Sequence, residues 1–241
     1  MAVNELQNGG ALVKITFEPG TYTVEGVSVT PLLNRTYCIF DLEGTGIDTA
    51  VESVTQFGAI YYKRGEGADK TSFVSLVRAS KPIPEAVEKL TGITNQAMQQ
   101  ALHFDEVYKQ FCSYIGDQVL VTHAGYEYDL PMLEHHCEQF GLTMFTNKVL
   151  DTKAMFTYIH PEVTDVVSTD FLIHYYDLDT EGIHRHDALE DCGIIARIFE
   201  CVLEEYEQRG LDHFIADSEK RMKRFVIPDM YLTKEKGELS E

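Results

Sequence analysis

The sequence predicts an α/β fold: a mixed five-stranded central sheet with helices on both faces. Three observations predict it: three consecutive strand-like segments, a change to helical periodicity, and then an alternation of strand and helix that ends in one long helix. Strands joined by turns pair antiparallel, whereas strands separated by helices pair in parallel. With 241 residues, 44% of them apolar, the chain can bury one substantial core.

The predicted elements follow in order along the chain. Residues 11–30 alternate apolar and polar side chains around Pro19-Gly20, which predicts short strands in an N-terminal extension over residues 1–35. The three consecutive strands are YCIFDLEG, VTQFGAIYYKRG and TSFVSLVRAS, and helical periods follow in PEAVEKLTGI and DEVYKQFCSYIG. A fourth strand, QVLVTHAG, leads into the helix DLPMLEHHCEQFG, and a fifth, KVLDTKAMF, leads into further helix.

The last predicted helix is HDALEDCGIIARIFECVLEEYEQRG. We expect the main domain to span residues 36–210 and residues 211–241 to form a C-terminal helix or tail. The final helix carries one apolar face at three- and four-residue steps, made of Leu189, Cys192, Ala196, Phe199 and Leu203.

The charge of the chain limits how it can hold nucleic acid. Twenty basic residues stand against 39 acidic ones, a net charge of −19. Because Lys and Arg make the phosphate contacts, we expect any nucleic acid to be held locally, by a short end, with metal ions supplying positive charge. One basic cluster can steer a phosphate backbone, contact a partner or simply form a solvated face: Lys220, Arg221, Lys223 and Arg224.

Other bulk features concern the cellular compartment. No apolar run approaches the ~20 residues of a membrane span, and the start MAVNELQNGG lacks a basic region followed by an apolar stretch. We therefore expect a cytoplasmic protein without a membrane partner. Five scattered cysteines without a Cys-x-x-Cys pair argue against a disulfide framework and a zinc site.

Two acidic residues lie at the C-terminal end of the first of the three consecutive strands. In YCIFDLEG, Asp41 and Glu43 point to the same face, and both faces begin apolar, as in a central strand. A buried carboxylate costs free energy, and a second one beside it adds repulsion, so a bound cation relieves both costs. Oxygen ligands favour Mg²⁺ or Mn²⁺. The alternative places both acids in a loop just after the strand.

Two further segments carry candidate residues. Asp129 stands where a helix begins after the fourth strand, a place that an ordinary N-cap residue also fills. In HRHDALEDC, Asp187 and Glu190 fit a capping box, which leaves His186 outside the helix and able to reach the same site as Asp191.

A histidine in that loop is the natural proton acceptor near neutral pH, because the ordinary pKa of histidine is close to 7. His186 is the preferred candidate, and His184 is its competitor.

Taken in order, FDLEGTG, YDLPML and HDALEDC resemble the three motifs of the DEDDh exonucleases, the family of the bacterial proofreading subunit and its relatives. The likeness covers about residues 36–208 and implies a ribonuclease H-like fold. It implies a 3′→5′ exonuclease that hydrolyses phosphodiester bonds at the 3′ end of DNA or RNA with two divalent ions, Mg²⁺ or Mn²⁺, and releases nucleoside monophosphates. The bound partner would be the 3′ end of a nucleic acid that is single-stranded or short. The resemblance is also compatible with a polymerase partner or with a homodimer.

The same resemblance assigns roles to individual residues. His186 is the implied general base, and Leu42, Gly44 and Thr45 would lie beside the terminal nucleotide. The implied metal ligands, which count with His186 as catalytic residues, are Asp41, Glu43, Asp129 and Asp191.

The chain departs from the family pattern at three places. Gly44 stands where the family usually has threonine, and Thr91 stands where it often has histidine before Gly-Ile-Thr. HAGYEYD replaces His-Asn-Ala-x-Phe-Asp, so alignment on Asp129 puts Gly125 at the asparagine and His123 out of register. These departures concern substrate preference more than activity, because no implied ligand is lost.

Two alternatives to an exonuclease remain open from the sequence. FDLEGTG is also close to the motif of haloacid dehalogenase-like phosphatases, in which Asp41 would be the nucleophile, although Glu43 then replaces the usual second aspartate. The other alternative is a non-catalytic exonuclease-fold module that docks to a polymerase or another partner.

Overall fold

The computed structural model describes the backbone of residues 2–8 and 11–225, and the side chains of residues 13–66 and 71–225. In chain order its strands are β1 (Ala2–Asn8), β2 (Ala11–Glu18), β3 (Thr21–Glu25), β4 (Ser28–Val29), β5 (Thr36–Gly44), β6 (Val54–Lys63), β7 (Gly67–Leu76), β8 (Val119–Thr122), β9 (Val149–Asp151), β10 (Phe214–Ile215) and β11 (Met222–Lys223). Its helices are α1 (Glu85–Thr91), α2 (Asn95–Met98), α3 (Phe104–Ile115), α4 (Asp129–Phe140), α5 (Thr152–Ile159), α6 (Thr169–Tyr175) and α7 (Ala188–Gln208).

The central sheet has five strands in the order β7-β6-β5-β8-β9. β5, β6 and β7 pair antiparallel, whereas β8 and β9 lie parallel to β5. The predicted mixed sheet is therefore confirmed, and β5 is its central strand. The change of direction follows from the connections, because turns join the first three strands and helices precede the last two.

Helices cover both faces of this sheet. Alternate side chains of β5 point to opposite faces, so Tyr37 packs against Phe199 of α7, with ring centroids 4.8 Å apart. Phe40 packs on the other face against Phe111 of α3, at 5.7 Å. Asp41 and Glu43 share the face of Tyr37, which directs them toward α7.

A second sheet is built from distant parts of the chain, in the order β1-β2-β3-β11. β4 pairs separately with β10, and the Asp212 carboxylate accepts hydrogen bonds of 2.8 Å from the N–H groups of Leu32 and Leu33. Residues 211–225, predicted as a helix or tail, contain no helix; Phe214–Ile215 and Met222–Lys223 pair with N-terminal strands. Residues 226–241 lie outside the described residues. No helix in the described ranges has both the length and the apolar character that crossing a membrane requires.

Candidate active site

Asp41 and Glu43 stand on β5 itself and not in a loop after it. Asp41 is paired with Gly58 of β6, Glu43 is paired with Gln56, and the register shifts between Glu43 and Gly44. The shift leaves Thr55 of β6 without a partner in β5, an irregularity of the kind that is common beside active sites. Both carboxylates are partly exposed at one end of the sheet.

Asp129 is the first residue of α4, and its side chain does not cap the helix. The N-cap position belongs to Tyr128, and the Asp129 carboxylate instead accepts a hydrogen bond from the hydroxyl of Thr122 at the end of β8. Asp129 is only 2% exposed. The capping interpretation is thus wrong, and the carboxylate is directed into the protein.

The helix α7 starts from a cap that the sequence predicted only in part. The Asp187 carboxylate accepts from the N–H groups of Leu189 and Glu190, at 3.0 and 3.1 Å. The partner that completes the cap is Gln56 of β6, which accepts from the Ala188 N–H at 3.0 Å and donates to Asp187 at 3.1 Å. Among the described contacts Glu190 makes no return bond to Asp187, so the predicted capping box is incomplete, and Gln56 contributes through Ala188 and the Asp187 carboxylate instead. The cap therefore ties α7 to the strand beside Asp41 and Glu43.

His186 lies outside α7 in the left-handed backbone region, with φ at 63°. Its N–H donates to Asp191 Oδ2 at 3.1 Å, so the loop folds back over the first turn of the helix. One ligand atom from each of Glu43, His186 and Asp191 lies within 4.8 Å of the others. Strand β5 and the start of α7 thus meet at one point, as predicted.

The four acidic residues predicted as ligands act on one another electrostatically. Burial raises the pKa of Asp41 well above its ordinary value, and the charges of Asp129, Glu43 and Asp191 raise it further. Burial, followed by the charge of Asp191, raises the pKa of Glu43 to about 8. Burial also raises the pKa of Asp129 to about 7 against the hydrogen bond from Thr122. The ionised site is therefore strained until positive charge enters it.

This donor set fits divalent cations. Glu43, His186 and Asp191 form the compact group, while Asp41 and Asp129 stand beside it and do not fall within the same 4.8 Å. Carboxylate oxygens suit Mg²⁺ and Mn²⁺, and the single imidazole is compatible with Mn²⁺. These five residues are the ones that can hold a metal here.

Arg185 is a site residue that the sequence reasoning missed. Its Nε donates to Asp191 Oδ1 at 2.8 Å, and its guanidinium also binds Asp170 on α6. The charge of Arg185 lowers the pKa of Asp41 and Glu43, against the larger effect of burial. Its place directly before His186 was the available signal, because an arginine next to an acidic site is a natural counter-charge.

The two candidate histidines occupy different environments. His186 lines the pocket, and burial lowers its pKa, with the charge of Asp191 acting in the opposite direction. His184 is exposed beside Gly92 and is not among the pocket residues. Of these two histidines, His186 is therefore the one that can exchange a proton inside the site.

A pocket of about 380 Å³ contains all five predicted catalytic residues, together with Leu42 and Gly44. Thr45 does not line it. Its hydroxyl donates to Glu52 and accepts from the Ser53 N–H at 2.9 Å, and the residue is 1% exposed. Of the three residues predicted beside the terminal nucleotide, two face the pocket, and Thr45 instead fixes the turn that follows β5.

The unusual glycines are matched to their surroundings. A Cβ on Gly44 would lie 2.5 Å from the Tyr128 hydroxyl, which donates to the Gly46 carbonyl at 3.0 Å. The Tyr128 phenol thus fills the room that a threonine would take. A Cβ on Gly125 would lie 2.2 Å from a Thr122 side-chain carbon and 2.9 Å from Asp129 Oδ2, so an asparagine does not fit there.

This chain is similar to known proteins by three criteria: a family model, related sequences and solved structures. The model of the RNase T exonuclease family matches residues 38–199. The DNA polymerase III subunit epsilon of Aquifex aeolicus is 32% identical over 174 residues, which are 72% of this chain and 83% of that protein. The PolC-type DNA polymerase III of Bacillus cereus is 28% identical over 182 residues, 76% of this chain, but the chain spans only 12% of its length.

Solved structures share the fold at low identity. The nuclease domain of 3′hExo, a DEDDh family member bound to rAMP, has a TM-score of 0.64 and 20% identity and covers 77% of this chain and 98% of that one. Cell-death related nuclease 4 has a TM-score of 0.62 and 22% identity, over 77% of this chain and 67% of that one. The ribonuclease H-like fold expected from the motifs is confirmed.

Proposed function

Because this chain belongs to the RNase T exonuclease family, we propose that it is a metal-dependent 3′→5′ exonuclease of the DEDDh type. It would hydrolyse phosphodiester bonds at the 3′ end of DNA or RNA and release nucleoside monophosphates. One observation carries the proposal: Glu43, His186 and Asp191 converge within 4.8 Å in a pocket that Asp41 and Asp129 also line.

Four carboxylates would hold two divalent ions, Mg²⁺ or Mn²⁺. The raised pKa values of Asp41, Glu43 and Asp129 support this role, because these three carboxyl groups lack enough positive charge around them. When bound, such ions activate water and stabilise the charge that develops on the phosphate and the leaving oxygen. The ligands in this proposal are Asp41, Glu43, Asp129 and Asp191.

His186 would be the general base that accepts a proton from the attacking water. Burial keeps its pKa below the ordinary value, so its imidazole is neutral near pH 7 and can accept a proton. The Arg185 guanidinium, fixed between Asp170 and Asp191, holds the His186 loop against α7. His186 can therefore keep one orientation over the pocket.

The substrate and partners are also proposals. A net charge of −19 and a site that fills a single pocket favour a short or single-stranded 3′ end over long duplex. The epsilon subunit of Aquifex aeolicus supports a polymerase partner, and we place the protein in the cytoplasm on the same basis. The presence of all five catalytic residues in one pocket speaks against a non-catalytic docking module.

The test is digestion of 5′-labelled single-stranded DNA, duplex DNA, RNA and a dinucleotide with Mg²⁺, Mn²⁺ or chelator. We expect a ladder that shortens from the 3′ end only with metal, and relative rates that rank the substrates. Asp41→Asn should lower the rate at least 10²-fold, and the exposed Asp165→Asn should leave it unchanged. Digestion by Asp41→Asn at the wild-type rate would refute the site, and cleavage in chelator would refute the metal requirement.

A further inference from the structure

Two residues outside the family-matched range line the same pocket as the carboxylates. Arg224 and Phe225 follow β11 directly, whereas the match to the family ends at residue 199. β11 pairs with β3, and the Arg224 N–H donates to the Gly20 carbonyl at 3.0 Å. The second sheet thus delivers this segment to the rim of the candidate active site.

Phe225 is held at the rim from one side. Its N–H donates to Glu127 Oε2 at 3.2 Å, and the other carboxylate oxygen of Glu127 binds the Lys153 ammonium in a buried ion pair. Lys153 Nζ lies 4.4 Å from the centroid of the Phe225 ring, and the residue remains 45% exposed. Glu127 precedes Asp129 by two residues, and both line the pocket together with Phe225. It offers an aromatic surface with one face covered by a cation and the rest open to the pocket.

Arg224 is a cation without a carboxylate partner among the described residues. Its guanidinium carbon lies 4.7 Å from the centroid of the Phe17 ring, and its Nε is buried without a hydrogen-bond acceptor. Arg185, the other arginine in the pocket lining, is engaged by both Asp170 and Asp191. A guanidinium on the rim of an acidic pocket normally pairs with a carboxylate. Because Arg224 has no such partner among the described residues, its guanidinium can bind an anionic group of a ligand.

We propose that Arg224 and Phe225 form a subsite for the nucleotide upstream of the 3′-terminal one. Arg224 binds a backbone phosphate through its free guanidinium N–H groups, and a base stacks on the exposed part of the Phe225 ring. A planar guanidinium matches phosphate geometry, and aromatic rings stack any base without regard to sequence. The inference rests on the proposed function and deepens it: the site takes strands of two or more nucleotides in preference to a single nucleotide.

Binding provides the first test. Fluorescence anisotropy with a 5′-labelled oligothymidylate, in an Asp41→Asn background that suppresses hydrolysis, should show Arg224→Gln weakening affinity at least fivefold. The slope of log K against log salt should fall by about 0.7, the value for one lost phosphate contact on a single strand. Phe225→Leu should weaken affinity at least fivefold with an unchanged slope. The control is Lys223→Gln, which removes the same charge one residue away and outside the pocket lining, and it should stay within twofold.

Kinetics with two substrates provides the second test. The ratio of kcat/KM for the oligonucleotide to kcat/KM for the p-nitrophenyl ester of thymidine 5′-monophosphate should fall at least fivefold in Arg224→Gln. Arg224→Lys is the second variant if Arg224→Gln melts more than about 2 °C below the wild type. It keeps the positive charge, so its kcat/KM ratio should lie between those of the wild type and Arg224→Gln.

The outcomes separate the two proposals. An active wild type whose variants leave both the affinity and the substrate ratio unchanged overturns the subsite and leaves the exonuclease proposal intact. A wild type that cleaves neither substrate with metal refutes the exonuclease itself.

Discussion

Replacing Asp129 by asparagine should stabilise the metal-free protein at alkaline pH, although it removes a residue proposed to be essential. The carboxyl is 2% exposed, and burial raises its pKa from 3.8 to about 7. Asparagine keeps nearly the same shape and can still accept the hydrogen bond from the Thr122 hydroxyl. The substitution therefore removes the ionisation cost and preserves the packing.

The size and sign follow from proton linkage. Well below pH 3.8 the Asp129 carboxyl is protonated in both the folded and the unfolded chain, so it contributes no pH dependence. As the pH rises toward 7, the unfolded chain releases a proton that the fold retains, so the free energy of unfolding falls until the folded carboxyl also ionises. The displacement of the pKa from 3.8 to about 7 corresponds to about 4 kcal/mol. Since the site carboxylates share the excess charge, we expect Asp129→Asn to recover about 2–4 kcal/mol, or roughly 4–15 °C.

The assay is thermal unfolding in chelator at pH 5 and pH 8.5, with Asp165→Asn as the exposed control. The melting temperature of Asp129→Asn should exceed that of the wild type at pH 8.5, and by less at pH 5. Adding Mg²⁺ should raise the melting temperature of the wild type more than that of the variant, because ions that bind only the folded state stabilise it by mass action. Lower stability of the variant at pH 8.5, or a difference that does not depend on pH, would refute the reasoning.

Three further predictions concern neighbouring residues. His186→Ala should lower kcat by about 10²–10⁴ in the oligonucleotide assay, and His184→Ala should not, because His186 lines the pocket and His184 does not; equal losses would contradict the assignment. Arg185→Gln should lower the metal-free melting temperature by several degrees and tighten Mn²⁺ binding at least fivefold by calorimetry, since it removes a competing cation; weaker Mn²⁺ binding would contradict this. Gly44→Ala should destabilise the fold by about 1–3 kcal/mol through its clash with the Tyr128 hydroxyl, and less so in a Tyr128→Phe background; additive effects in denaturant unfolding would show that the two residues are not coupled.

Sequence patterns were sufficient for the parts of the molecule that local periodicity determines. The alternation in β5 placed Asp41 and Glu43 on one face, and the start of α7 placed His186 outside the helix. Each of these depends on residues a few positions apart, so the spacing alone carries the information. The three motifs then linked distant segments through resemblance to a family.

What the sequence did not predict depends on contacts between segments far apart in the chain. Gln56 caps α7 from another strand, 131 residues before Asp187. Tyr128 fills the room left by Gly44, a pairing that neither position reveals alone. The charge pattern of the basic segment near Arg224 favoured a solvated helix face, because two-residue strands such as β11 have no detectable period.

The pairing of β3 with β11 has a consequence for synthesis of the chain. β3 ends at Glu25 and its partner begins at Met222, so residues 26–221 emerge from the ribosome between them. At about 5–20 residues per second, the edge of β3 stays unpaired for roughly 10–40 s. During that interval a nascent chain exposes a strand edge that can template non-native pairing, and all four proposed acidic ligands are synthesised before the segment that holds Arg224 and Phe225.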